Sequence, residues 1–144
     1  MFKHILIPTD GSPLSTEAVK AGIRFCKETG ARATVLTITL PFPNSPLAEY
    51  AAATHAMYDA GMKKAADERL AVAADLAREA GVTCNTRMLS DLQPFLAIVQ
   101  VAEEEKCDAI FMASHGRRGI AGLLLGSETQ KVLTHSKVPV VVYR

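Results

Sequence analysis

The residues best suited to chemistry lie in one late segment, Ser114-His115-Gly116-Arg117-Arg118-Gly119-Ile120-Ala121-Gly122-Leu123-Leu124-Leu125-Gly126-Ser127, with the skeleton G-x2-G-x6-G-S. Glycines lacking a Cβ let successive backbone N–H groups approach an anion closely, which is how loops of this kind hold phosphate oxygens. Gly126-Ser127 directly precedes Glu128 to Thr134, which reads as the final helix, so free amides and a positive dipole end face the same loop. Hydrogen bonds to charged groups contribute roughly 1.5–3 kcal/mol each, and micromolar affinity needs about 8 kcal/mol. Three or four amides are marginal after the entropy of association, so the rest of the ligand must be held elsewhere. The natural second contributor is Asp10, in the turn Asp10-Gly11-Ser12-Pro13.

What the segment lacks narrows its chemistry. A Walker loop requires Lys before the Ser or Thr, and here Gly126-Ser127 is followed by Glu128. No GxGxxG follows the first strand, and Ser114-His115 lacks the GxSxG elbow of a hydrolase. His115 reads as a positioning residue rather than an acid or base.

The elements that must hold these residues alternate between strand and helix. His4 to Pro8 reads as a strand, and Ser12 and Pro13 supply a helix N-cap and first residue. Val19, Gly22, Ile23 and Cys26 follow at helical spacing, and Gly30 ends the helix. A second strand is expected over Ala33 to Leu40, then a surface loop containing Pro41, Pro43 and Pro46. From about Met57 to Ala80, Ala66, Leu70, Ala73 and Ala77 mark the buried stripe of a long amphipathic helix ending at Gly81. Thr83 to Leu89 reads as a third strand, and Pro94 opens a helix with Phe95, Ile98, Val99 and Ala102 on one face. Glu103 to Lys106 reads as a solvated helix end without function. The fourth strand, Ala109 to Ala113, is apolar without alternation, as a parallel strand covered on both faces should be. Five strands separated by helices imply right-handed crossovers and a doubly wound sheet, with any ligand beyond the carboxyl ends of the strands.

Composition removes other function classes. Lys plus Arg total 16 against 15 Asp plus Glu in 144 residues, leaving no field to gather nucleic acid or anionic lipid. No apolar run is long enough to span a bilayer, and the first residues lead straight into a strand, so a cytoplasmic protein is expected. Cys26, Cys84 and Cys107 form no CxxC pair and no zinc spacing with His, so reduced, mostly buried thiols are expected. His4, His55 and His135 are too scattered in sequence to suggest a metal.

Four stretches together resemble the universal stress protein family: Ile5-Leu6-Ile7-Pro8-Thr9-Asp10-Gly11-Ser12, Met112 to Gly119, Leu124-Leu125-Gly126-Ser127 and Val138-Pro139-Val140-Val141-Val142. The resemblance spans essentially the whole chain, and its glycine motif has the form found in the ATP-binding branch. It implies one domain over 1–144, an α/β Rossmann-like fold with a doubly wound five-stranded parallel sheet of order 3-2-1-4-5 and helices on both faces. It further implies that Asp10 contacts ribose or adenine beside Pro8 and Thr9, and that the backbone near Ile38 meets the adenine edge. Gly116, Gly119, Gly126 and Ser127 would hold the phosphates, with Met112, Arg117, Glu128 and Thr129 completing the set. At most one of Arg117 and Arg118 would reach phosphate, because adjacent side chains on a loop point in different directions. ATP or AMP is the implied cofactor, and Mg²⁺ would find Asp10 and Ser127 as candidate contacts. The implied protein partner is a second copy joined through the last strand, Val138 to Tyr143, besides an unidentified partner protein. One departure stands out: where the family usually places Gly two residues before a Pro, this chain has Leu92-Gln93-Pro94, a bulkier rim on the ribose side.

Simpler roles compete at each position. Asp10 could serve only the turn, Ser127 could serve only as a helix N-cap, and single glycines could serve only tight turns. Three functions follow from the residues and the resemblance together: an adenine-nucleotide-binding stress regulator with little turnover, a slow Mg²⁺-dependent ATPase, or a nucleotide-free dimer acting through protein contacts.

Overall fold

Ser12 and Pro13 begin the first helix as their chemistry requires. In the computed structural model, which describes residues 1–43, 52–116 and 124–144, Ser12 is extended at φ −65° and ψ 158°, and its side chain accepts the Ser15 N–H. Helix α1 (Pro13–Thr29) ends at Gly30, whose left-handed φ of 72° most residues resist. Before it runs β1 (His4–Pro8), buried at every position. Fully burying an Ile or Leu there contributes about 1.5–3 kcal/mol, so β1 is the fixed axis against which the site is built.

The remaining elements are β2 (Arg32–Thr39), α2 (Ala52–Ala80), β3 (Cys84–Ser90), α3 (Pro94–Glu104), β4 (Ala109–Ala113), α4 (Ser127–His135) and β5 (Val140–Tyr143). All strand pairs are parallel, in the order β3-β2-β1-β4-β5. Helices cover both faces. Val19, Ile23 and Cys26 of α1 and Leu70, Ala73 and Ala77 of α2 pack with Ile5, Ile7 and Val35 on one face. Phe95, Ile98 and Val101 of α3 and Val132 of α4 pack with Leu6, Leu36 and Ile110 on the other. The chain winds one way from β1 through β3 and the other way from β4 to β5, so the reversal falls between β1 and β4.

Several expected boundaries and roles move. Helix α2 begins at Ala52 rather than near Met57. Its first turns hold Phe42, whose ring meets His55 and Tyr58 edge-on at 4.6 and 5.3 Å, while Tyr58 donates its hydroxyl to the Leu40 carbonyl at 3.1 Å. On α3, Val101 is buried and Val99 only half-buried. Strand β5 starts at Val140, two residues later than the apolar run from Val138. Glu103 to Lys106 is not simply a solvated end, because Glu105 accepts the Thr34 hydroxyl and Arg87 from the sheet. Cys26 and Cys107 are buried free thiols and Cys84 is half-buried. No described helix is long and apolar enough to cross a membrane.

Candidate functional site

The crevice at the reversal point is opened by the backbone itself. Pairing of β1 with β4 runs through Leu6 with Ile110 and goes no further. Even-numbered residues of β1 direct their backbone groups toward β4, as the His4 carbonyl does in accepting Asp108 N–H at 2.9 Å. Pro8 is next in that series beyond Leu6, and it has no N–H with which to continue the ladder. On β2 the even positions face β1, as the Leu36 carbonyl does in accepting Thr9 N–H at 2.8 Å. By the same alternation Ile38 turns its N–H and carbonyl toward the β1 side, past the last β1–β2 pair, Pro8 with Leu36.

Asp10 serves the turn and the crevice at once. Its Oδ1 accepts Ser12 N–H at 2.9 Å, the short-range bond typical of Asp in turns. That bond directs Oδ2 across the crevice to Gly116, where any Cβ would overlap the carboxylate oxygen. The two ends of the sequence pattern, Asp10 and Gly116, thus meet face to face.

Thr9 is fixed beneath this turn. Its Oγ1 pairs with Ser15 Oγ at 3.0 Å and receives Gly11 N–H at 3.2 Å, and its carbonyl accepts the Thr37 hydroxyl at 2.9 Å. The Thr9 side chain is therefore structural, and only its backbone borders the crevice. Sequence reasoning missed Arg69, which lies under Gly11 and reaches Thr37 Oγ1 at 3.5 Å. Gly11 has φ +77°, and a Cβ there would lie 2.5 Å from Arg69 Nε. The available signal was an arginine beside the small and apolar stripe Ala66, Leu70 and Ala73. A cavity of about 340 Å³ between α1 and α2 borders Thr9, Gly11 and Arg69.

Across the crevice, the glycine segment is anchored where it leaves and rejoins the scaffold. Ser114 donates its N–H to Tyr143 at 2.7 Å and accepts Gly126 N–H at 2.7 Å. Gly126 packs so closely on His115 that a Cβ would sit 3.1 Å from His115 Cα. Its amide is thus committed to Ser114, so Gly126 contributes close packing and has no free N–H of its own to offer. Gly126, not Ser127, is the N-cap of α4: Gln130 N–H returns to its carbonyl, and Ser127 is the first helical residue. As a glycine, this N-cap gives α4 no side-chain cap at its start. His115 Nδ1 lies 3.2 Å from Ser114 Oγ, consistent with a positioning role.

The other expected contacts divide by backbone and side chain. Glu128 Oε2 accepts Phe95 N–H at 2.9 Å, so its carboxylate caps α3 rather than facing the loop. Thr129 is buried and donates its hydroxyl to the Ala113 carbonyl at 3.0 Å. Met112 is a core residue beside Ile110. Backbone amides in the first turn of α4 are what Glu128 and Thr129 can offer a ligand, whereas the Met112 backbone is paired with β5. Arg117, Arg118 and Gly119 lie outside the described residues, as do residues 44–51 of the Pro-rich segment. On the departure after β3, Leu92 is 75% exposed and Gln93 begins α3 without a side-chain cap.

At the opposite edge of the sheet, side-chain polar atoms of His4, Glu105 and Cys107 lie within 4.8 Å of one another.

The family model described as Universal stress protein family matches residues 1–144. Universal stress protein MJ0531 of Methanocaldococcus jannaschii is 34% identical over 146 residues, covering 100% of this chain and 83% of that protein. A universal stress protein of Thermus aquaticus is 31% identical over 144 residues, covering 100% of each. Among solved structures, protein MJ0577 superposes with a TM-score of 0.83 at 25% identity, covering 99% of this chain and 96% of that one. A universal stress protein crystallised in complex with cAMP superposes with a TM-score of 0.71 at 26% identity, covering 99% and 97%.

Proposed function

For a chain that belongs to the universal stress protein family, we propose adenine-nucleotide binding as its activity and a stress-response regulator, with little or no turnover, as its role. The observation that carries this reading is the meeting of Asp10 and Gly116 across a crevice that Pro8 keeps unzipped. A carboxylate beside a backbone edge suits a ribose hydroxyl or an adenine amino group, both of which donate hydrogen bonds. Pro8, Thr9, Asp10 and Ile38 take the nucleoside, with Met112 of β4 supporting the floor. Gly116, Arg117, Gly119 and the opening amides of α4, at Ser127, Glu128 and Thr129, take the phosphates, with Gly126 setting the approach. When the ligand is a triphosphate, Asp10 and Ser127 would be the candidate contacts for its Mg²⁺. The complex of a 26% identical relative with cAMP supports an adenylate as the ligand class.

The proposed assembly is a homodimer through the last strand. Pro139 and Tyr143 turn their carbonyls inward to β4, so Val140 and Val142 direct their backbone groups outward by alternation. An edge of this kind is a template for a second copy.

Titration calorimetry with ATP, AMP, cAMP and GTP tests the binding reading. At least one adenylate should bind with micromolar affinity, about 8 kcal/mol, and GTP should bind more weakly. No heat with any of the four would overturn it in favour of a nucleotide-free dimer. Steady phosphate release from ATP would replace the regulator with the slow ATPase.

A further inference from the structure

At the amino edge of the sheet, far from the crevice, three polar groups close a ring beneath the α3 side of the core. His4 Nδ1 lies 3.1 Å from the Glu105 carbonyl, His4 Nε2 lies 2.8 Å from Thr34 Oγ1, and Thr34 Oγ1 lies 2.6 Å from Glu105 Oε2. His4 is 4% exposed and Thr34 is fully buried. Each contact joins two electronegative atoms and requires one proton between them. The carbonyl and the carboxylate bring none, a neutral imidazole brings one and the hydroxyl brings one. Two protons must then serve three contacts, and Thr34 can donate to His4 or to Glu105 but not to both.

We infer that His4, Thr34 and Glu105 form a proton-binding clasp, in which one proton from solvent taken by His4 completes the ring and fastens the end of α3 to β1 and β2. The imidazolium donates from Nδ1 to the Glu105 carbonyl and from Nε2 to Thr34, which frees the hydroxyl to donate to the carboxylate. Glu105 is the C-cap of α3, so the closing bond acts where that helix ends.

The surroundings set the range in which this occurs. From β2, Arg32 faces His4. From the segment joining α3 to β4 come Glu105, the Cys107 thiol, and Asp108, whose carboxylate accepts the Lys3 and His4 amides at 2.8 and 3.2 Å. From β3, Arg87 donates to Glu105 Oε1 and Glu104 Oε2, both at 3.2 Å. Burial, and then Arg32, pull the His4 pKa below its ordinary value, against the opposing pull of Glu105 and Asp108. The imidazole is therefore neutral at neutral pH, and the clasp closes on acidification. A metal cation fits less well than a proton. Burial and Glu105 push the Cys107 thiol up to about 12, and the Thr34 hydroxyl already bridges His4 Nε2 and Glu105 Oε2.

The experiment is an NMR titration of the full chain from about pH 8 to about pH 4, following the His4 ring nitrogens and the Glu105 and Lys106 amides. His4 should take up a proton below the ordinary imidazole range, and both amides should shift with the same midpoint. In Thr34→Val the ring should still titrate while the amides lose that midpoint. Should Thr34→Val not fold, Glu105→Gln should lower the His4 midpoint by about one unit and uncouple the Lys106 amide. A His4 ring that keeps one protonation state while the fold persists would overturn the clasp. So would amides that follow the same midpoint in the variants. Abolition of the titration by one equivalent of Zn²⁺ would assign the group to a metal instead.

Discussion

The carboxylate of Glu128, on the first turn of α4, accepts the backbone N–H of Phe95, on the first turn of α3, at 2.9 Å. Two helix starts that border the carboxyl edge are thereby joined by one charge-assisted bond. Gln93 supplies no side-chain cap to α3, so Glu128 does the capping from another element. Glu128→Ala is expected to destabilise the fold by about 1 kcal/mol, the usual cost of a lost cap. The corresponding fall of roughly 2–4 °C in Tm is measurable by thermal circular dichroism, and an unchanged Tm would remove the cap from the account.

Gly116 tests the crevice directly. A methyl group there meets Asp10 Oδ2, so Gly116→Ala should displace the carboxylate and weaken adenylate binding at least about tenfold, a loss near 1.4 kcal/mol. Asp10→Asn keeps the turn acceptor while removing the charge, and its effect on affinity should be smaller. Equal affinities of wild type and Gly116→Ala by calorimetry would place the ligand elsewhere.

Gly126 is constrained differently, by backbone rather than by a side-chain tip. Its absent Cβ faces His115 Cα and Ser114 O at 3.1 and 3.4 Å, and neither can swing away. Gly126→Val should therefore move the start of α4 and abolish nucleotide binding, with far-UV circular dichroism largely retained. Binding that survives this change would contradict the assigned position of the phosphates.

The buried thiols predict an alkaline limit. Burial pushes Cys26 up to about 11 and Cys107 up to about 12, above the value for an exposed thiol. Between pH 9 and these values the folded chain binds more protons than the unfolded chain, so stability falls as pH rises through that window. Urea melts across the window should be less pH-dependent in Cys107→Ala. Alkylation at mildly alkaline pH should mark half-buried Cys84 well before the other two.

The outer edge of β5 offers a clean oligomer test. Val142 directs its N–H away from β4, so Val142→Pro removes an outward donor while leaving the inward ladder intact. Light scattering should report a dimer for the wild type and a monomer for the variant. The same mass for both would rule out that edge as the interface.

How far the residue pattern foretold the molecule differs between the sheet and the site. The inner strands β1 and β4 were legible because burial on both faces demands unbroken apolar runs such as Ile5 to Ile7 and Ala109 to Ala113. The stripe Ala66, Leu70, Ala73 and Ala77 located α2, but its start at Ala52 was hidden, since the ring contacts of Phe42 with His55 and Tyr58 have no periodic signature. The pairing of Asp10 with the glycine segment followed from topology. The division of labour within it did not, because a sequence cannot tell which amides are already engaged: Gly126 gives its N–H to Ser114, and Glu128 turns to Phe95. Glu105 was misjudged for a related reason. A run of acidic residues reads as solvent-facing until the third dimension brings Thr34, His4 and Arg87 to it.

The bond from Gly126 to Ser114 also ties the last strand to the last helix. Ser114 gives its N–H to the Tyr143 carbonyl and takes the Gly126 N–H on its own carbonyl, so a single residue carries any displacement of the β5 end to the first turn of α4.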